Sequence, residues 1–153
     1  MPAARKPVSP LETHLGYWLR YVSNQVSYAF AAKVQACGVT VAEWVVLREL
    51  YDGECMPSAL AARLGMTRGA ISKLAERLSD KDLIRRSAKD GDGRAQTLSL
   101  APGGRALVPK LAALADANDA EFFGHLDHTS LKTIEAAMRE IIRRRGLKGV
   151  PVD

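Results

Sequence analysis

The stretch Leu60-Ala-Ala-Arg-Leu-Gly-Met-Thr-Arg-Gly-Ala-Ile-Ser-Lys-Leu74 decides the fold. Leu60 and Leu64 stand four apart with small alanines between them, Gly65 follows, and Thr67 can cap a second helix running to about Lys81. Small residues let two helices approach closely, the glycine permits a sharp turn, and Ile71, Leu74 and Leu78 anchor the second helix. That is the makeup of a helix-turn-helix. At about 100° per residue the second helix splits into two halves. Ala70, Ile71, Leu74, Ala75 and Leu78 share one; Arg68, Gly69, Ser72, Lys73, Glu76 and Arg77 share the other. An oily half for packing and a hydrogen-bonding half outside suit a helix docked in the DNA major groove.

Downstream the hydrophobic period changes. Residues 83–88 and 95–100 are short strand candidates, the second alternating Thr97 and Ser99 against Leu98 and Leu100, and Lys89-Asp-Gly-Asp-Gly93 between them is a strong hairpin signal. Upstream, Leu11, Leu15, Trp18, Leu19, Val22, Val26, Phe30 and Val34 mark one face of a long helix over 11–36, closed by Gly38. Thr40-Val-Ala-Glu43 is a capping box opening a second helix, and Pro57 suits the first position of a third. After Pro102-Gly-Gly104, read as a break, a helix is expected over 105–123 and a last one over 129–145, the latter with Leu131, Ile134, Met138, Ile141 and Ile142. The fold class is therefore mainly α with a small β-hairpin.

Charge placement sharpens the reading. The chain has 153 residues and a net charge of +5, with 47% hydrophobic and 25% charged residues, which fits one globular domain. Residues 63–105 hold ten basic and five acidic side chains, so the whole excess falls there. Such asymmetry suits a polyanion-binding surface. Arg94 on the hairpin, flanked by Arg85, Arg86 and Lys89, would make a basic flap whose guanidinium could enter a minor groove, with Asp92 positioned to hold it. No apolar run approaches the roughly 20 residues of a membrane span, and the basic, proline-bearing N-terminus leads into no signal-like stretch. Two cysteines, Cys37 and Cys55, make no disulfide framework, which points to a reducing, cytoplasmic setting. Neither shows basic neighbours that would activate it, so both are expected to be inert.

From Asp92 through Gly104 the sequence resembles the wing signature of the multiple antibiotic resistance regulator (MarR) family: an Asp-x-Arg, a short strand, and a glycine opening the next helix, matched by Asp92, Arg94, Leu100 and Gly104. Residues 78–85 resemble that family's exit from the recognition helix into the first wing strand. Three positions depart from the pattern. Gly93 replaces a second basic residue, Ala101 replaces a capping threonine, and Asp82 stands at a usual glycine, which predicts a strained turn. The resemblance implies a homodimeric winged helix-turn-helix transcriptional regulator, most often a repressor. Its lobe would span 39–104, its helical dimerisation region 11–38 and 105–146, and a flexible basic tail 1–10.

Arg68, Ser72, Lys73 and Arg77 are the candidates for base or phosphate contact, Arg94 for the minor groove, and Asp92 as its positioner. Family likeness also implies a small aromatic, phenolic or carboxylate effector between the helices and the lobe, for which Tyr17, Trp18, Tyr21, Tyr28 and Trp44 are the nearest aromatics; stacking and tyrosine hydroxyls would suit an aromatic acid. An aromatic at helical spacing is far more often a core residue than part of a pocket. Glu121, His125 and His128 could ligate zinc in principle, but they fall where helix caps are normal and no further ligand lies near; no metal or cofactor is expected. Catalytic motifs are missing, so an enzyme is not expected. The alternative reading is a winged-helix module whose basic face meets an acidic protein partner. The terminal apolar helices could also simply complete a monomeric core.

Overall fold

The structure, a computed structural model, describes residues 4–88 and 96–152. A short 3-10 turn, Leu11–Thr13, precedes α1 (Leu15–Gln35), α2 (Val41–Tyr51), α3 (Pro57–Leu64) and α4 (Arg68–Asp80). Then come β1 (Ile84–Ala88), β2 (Gln96–Leu100), α5 (Pro102–Phe123) and α6 (His128–Arg145). β1 and β2 pair antiparallel, with Ile84 opposite Leu100 and Arg86 opposite Leu98. Cys55 adds a single bridge on the other edge of β2, its N–H donating to Leu98 O at 3.0 Å and its carbonyl oxygen accepting from Leu98 N–H at 2.8 Å.

The capping box forms as the sequence predicts: Glu43 N–H donates to Thr40 Oγ1 and Thr40 N–H to Glu43 Oε1, each at 3.1 Å. Thr67 caps α4 through Ala70 N–H at 3.1 Å. Gly65 ends α3 in the left-handed region, and Met66 N–H reaches back to Ala61 O at 3.0 Å, so the turn between α3 and α4 is only three residues long. Asp82 does take a positive φ, 57°, and closes α4 with Leu83 N–H bonded to Leu78 O at 2.9 Å. The turn strained on paper is held by an ordinary helix-ending motif.

Two boundaries differ from the sequence reading. The first helix does not begin at Leu11: His14 is extended, and the Trp18 indole N–H instead donates to Glu12 O at 2.9 Å, holding the 3-10 turn against α1. Pro102-Gly-Gly104 does not separate elements but opens α5, with Pro102 at the first helical turn and Ala101 as a cap without a side-chain bond. Gly104 packs so tightly on β1's approach that a Cβ there would collide with Leu83 O. The glycine serves helix–strand packing rather than a turn.

The core runs from Val34 to Leu111: Val46, Leu47 and Leu50 of α2, Leu60 and Leu64 of α3, Ile71, Leu74 and Leu78 of α4, Ile84, Leu98 and Leu100 of the hairpin, and Val108 and Leu111 of α5. Outside that span the apolar faces stay open. Trp18 and Ile141 are each 51% exposed, and α6 contains no buried residue.

Candidate nucleic-acid interface

Helix α4 presents the division its sequence demands. Ile71, Leu74, Ala75 and Leu78 are buried, while Arg68, Gly69, Ser72, Lys73, Glu76 and Arg77 are exposed. Among the described residues no carboxylate pairs with Arg68 or Lys73. Their charges sit beside the N-terminal end of α4, where unbonded main-chain amides already favour anions. Arg85 and Arg86 are exposed on β1, next along the chain. Asp92 and Arg94 lie outside the described residues.

Arg77 is engaged inside the molecule. Its Nη2 donates to Glu43 Oε1 at 2.9 Å, while Lys81 Nζ donates to Glu43 Oε2 at 2.7 Å and to Gly38 O at 2.9 Å. Glu43 itself is fully buried. Burial pushes its carboxyl up, but hydrogen bonds from Lys81 and Thr40 and the Lys81 charge outweigh that and hold it below the usual carboxylate range. This cluster ties the start of α2 to the C-terminal half of α4, so the helix is fixed by an ionic clasp as well as by its apolar stripe. The sequence reading saw Glu43 only as a cap. Its remaining acceptor capacity, together with two cations four apart at Arg77 and Lys81, was the signal available.

The five aromatic candidates separate in space. Tyr28 and Trp44 line a cavity of about 520 Å³ between α1, α2 and α5, with Val26, Phe30, Asn118 and Asp119. Trp18 instead lines an open apolar groove of about 690 Å³ with Val22, Phe122, Met138 and Ile141. Tyr17 and Tyr21 line neither; Tyr17 packs edge-on against Trp18 at 5.1 Å between ring centres. Asn118, buried, braces the cavity floor: its Nδ2 donates to Val26 O at 3.2 Å and its Oδ1 accepts from Lys33 Nζ at 2.9 Å. Lys33 also pairs with Glu121 at 2.9 Å, and Asp127 caps α6 through Ser130 N–H at 2.7 Å. Among the described residues no group of three or more His, Cys, Asp or Glu side chains could hold a metal ion. Cys55 departs from expectation, because Arg63 Nη2 lies 2.9 Å from its Sγ; a basic neighbour two turns along a helix was not apparent from chain order. Cys37 is exposed.

A hairpin beside a two-helix unit with an outward basic face defines the winged helix-turn-helix class. Residues 38–95 match the MarR family. The HTH-type transcriptional repressor Rv2887 of Mycobacterium tuberculosis is 31% identical over 113 residues, covering 73% of this chain and 81% of the relative. Among solved structures, a probable transcriptional regulator from Pseudomonas aeruginosa superposes with a TM-score of 0.74 at 28% identity, over 87% of this chain and all of that one. Bordetella bronchiseptica BpsR, whose DNA binding is regulated by 6-hydroxynicotinic acid, superposes with a TM-score of 0.75 at 24% identity, over 88% of this chain and 97% of its own. The chain belongs to the MarR family and is a transcriptional regulator, not an enzyme.

Proposed function

We propose that this regulator binds a near-palindromic duplex operator as a homodimer and acts in the cytoplasm as a repressor. The observation that carries the reading is α4, whose Ile71, Leu74, Ala75 and Leu78 are buried while Arg68, Ser72 and Lys73 face outward from its first two turns. In this reading those three side chains reach base edges or phosphates, and Arg94 enters the adjacent minor groove with Asp92 positioning it. Arg77, half-exposed and clasped to Glu43, contacts a phosphate at most. Residues 39–104 form the reading lobe. Residues 11–38 and 105–146 form the dimerisation region, with 1–10 as a basic tail. The exposed apolar faces of α1 and α6 support that division, because a second copy would cover them. Two lobes related by a twofold would read half-sites about 10 bp apart. The repressor role follows the relative at 31% identity.

The cavity beside Trp44 is the effector site in this reading. Its described lining is apolar and aromatic, carries Asp119, and includes no basic side chain. A carboxylate there would face Asp119, and the nearest cation, Lys33 behind Asn118, is already paired with Glu121. A neutral phenol or aromatic ring, stacked on Trp44 with a hydroxyl toward Tyr28 or Asn118, fits better than an aromatic acid.

The test is selection of duplexes from a random pool, followed by affinity measurements across a salt series. Counterion release demands a steep fall of affinity with salt, and base reading demands that preference survive competitor DNA. Arg94→Ala should weaken the selected duplex about tenfold with the dimer intact. Equal affinity for heparin and every duplex would overturn the reading in favour of an acidic protein partner.

A further inference from the structure

Beyond α6 the chain returns to the lobe. Gly146 ends the helix in the left-handed region, Leu147 N–H bonds back to Ile142 O at 3.1 Å, and the following segment crosses to the helix-turn-helix. Three separate observations meet there. Val150 N–H donates to Leu64 O at 3.0 Å, satisfying a carbonyl at the C-terminal end of α3 that its own helix cannot reach. Gly149, with φ 99°, lies so close to Gly65 that a Cβ on Gly65 would collide with Gly149 Cα. Pro151 forms part of the wall of the cavity that Trp44 lines.

We propose that residues 147–152 are a strap, in which Gly149 and Val150 are positioning residues for DNA recognition and Pro151 ties the same segment to the cavity. The proposal rests on the reading of α4 as the DNA-contacting helix. Its physical basis is the shortness of the turn. Leu64 ends α3 and Arg68 begins α4, so a displacement at the Leu64 carbonyl has three residues in which to dissipate before it reaches the basic face. The strap grips that turn through a main-chain hydrogen bond and a glycine-on-glycine contact, and neither needs a particular side chain. Whatever moves Pro151 pulls on the turn through the adjacent Val150 and through Gly149, in a segment that the proline ring stiffens. The dimerisation helix, the cavity wall and the reading head are thereby joined by seven consecutive residues, 146–152.

The test uses the full chain in three variants. Val150→Pro removes the donor, Val150→Ala keeps it, and Gly149→Ala places a Cβ where φ disfavours one. All three changes lie beyond the last helix, so dimerisation should stay at the wild-type value and the melting temperature should fall by no more than about 5 °C. Loss of one clamp bond should speed amide exchange at Gly65 and Met66 about tenfold and weaken the selected duplex by a similar factor in the proline and glycine variants, with Val150→Ala behaving as wild type. Equal exchange in Val150→Pro and Val150→Ala would overturn the strap, whatever the protein binds. Faster exchange with unchanged duplex affinity would overturn the positioning role. If the wild type selects no duplex, the DNA reading and the positioning role fall together, while the exchange result still decides whether the segment clamps the turn.

Discussion

Helices α4 and α6 are both strongly amphipathic, with apolar residues at helical spacing and charged residues between them. Their apolar stripes meet opposite fates. Ile71, Leu74 and Leu78 of α4 vanish beneath α2, α3 and the hairpin, whereas Ile134, Met138 and Ile141 of α6 remain 43–51% exposed. The charged faces differ as well. On α6 each carboxylate is shared between two cations of the same helix: Glu135 pairs with Lys132 and Arg139, and Glu140 with Arg143 and Arg144. On α4, Arg68 and Lys73 point outward without such partners among the described residues, and Arg77 is bound to a carboxylate from another helix. A periodic apolar stripe therefore states that a helix has a partner, but not whether that partner belongs to the same chain. The pairing opposite the stripe differs too: α6 draws its carboxylate partners from its own turns, whereas α4 takes one for Arg77 from α2.

The contrast can be broken most directly at α6. Replacing Met138 and Ile141 together with aspartate should abolish the dimer in sedimentation experiments. It should cost operator affinity well over a hundredfold, because one lobe alone forfeits the second half-site. A folded variant that still sediments as a dimer would mean these faces are not the interface. Next in size, Leu78→Ala should lower unfolding free energy by about 3 kcal/mol, since Leu78 is fully buried. That loss should be the same at every protein concentration, whereas Ile141→Ala should act through a concentration-dependent melting temperature.

The clasp on α4 gives a smaller effect with a pH signature. Glu43→Gln keeps the capping geometry but loses the charge that two cations share, and should cost about 2 kcal/mol at neutral pH; Arg77 and Lys81 are half-exposed and recover water. Because the folded state holds the Glu43 carboxyl below its ordinary value of 4.5, its contribution is complete above that value and disappears as pH falls through the lower, folded-state value. Acid titration of stability should therefore be steeper in the wild type than in Glu43→Gln below about pH 4.5. Identical acid limbs would remove Glu43 from the explanation of how α4 is held. Smallest is Lys73→Ala, which should weaken all duplexes alike and reduce the slope of log affinity against log salt by about one. A change in sequence preference instead would make Lys73 a reader of bases.

Much of this was legible in the chain order. The caps at Thr40 and Thr67, the turn at Gly65, the burial of Ile71, Leu74 and Leu78, and the positive φ of Asp82 all depend on residues within a few positions of one another, and local rules reach that far. The aromatic candidates show where such rules stop. Tyr17, Trp18, Tyr21, Tyr28 and Trp44 all looked equally near a cleft, yet only Tyr28 and Trp44 line the cavity between α1, α2 and α5. Which side of α1 meets α5 depends on packing between helices more than 80 residues apart, as the bond from Lys33 to Asn118 illustrates. The Arg63 contact to Cys55 and the return of the tail to Leu64 were hidden for the same reason.

By itself, then, the amino-acid order determined most of the elements and their caps, the two-faced character of α4 and the basic segment, because hydrophobic period, capping chemistry and charge are properties of neighbours in the chain. Only the tertiary structure decided that Glu43 clasps Arg77 and Lys81, that Pro151 stands at the cavity beside Trp44, and that α6 keeps its apolar face uncovered. Each of those depends on which distant surfaces meet, and that is settled by three-dimensional packing of the whole chain against itself.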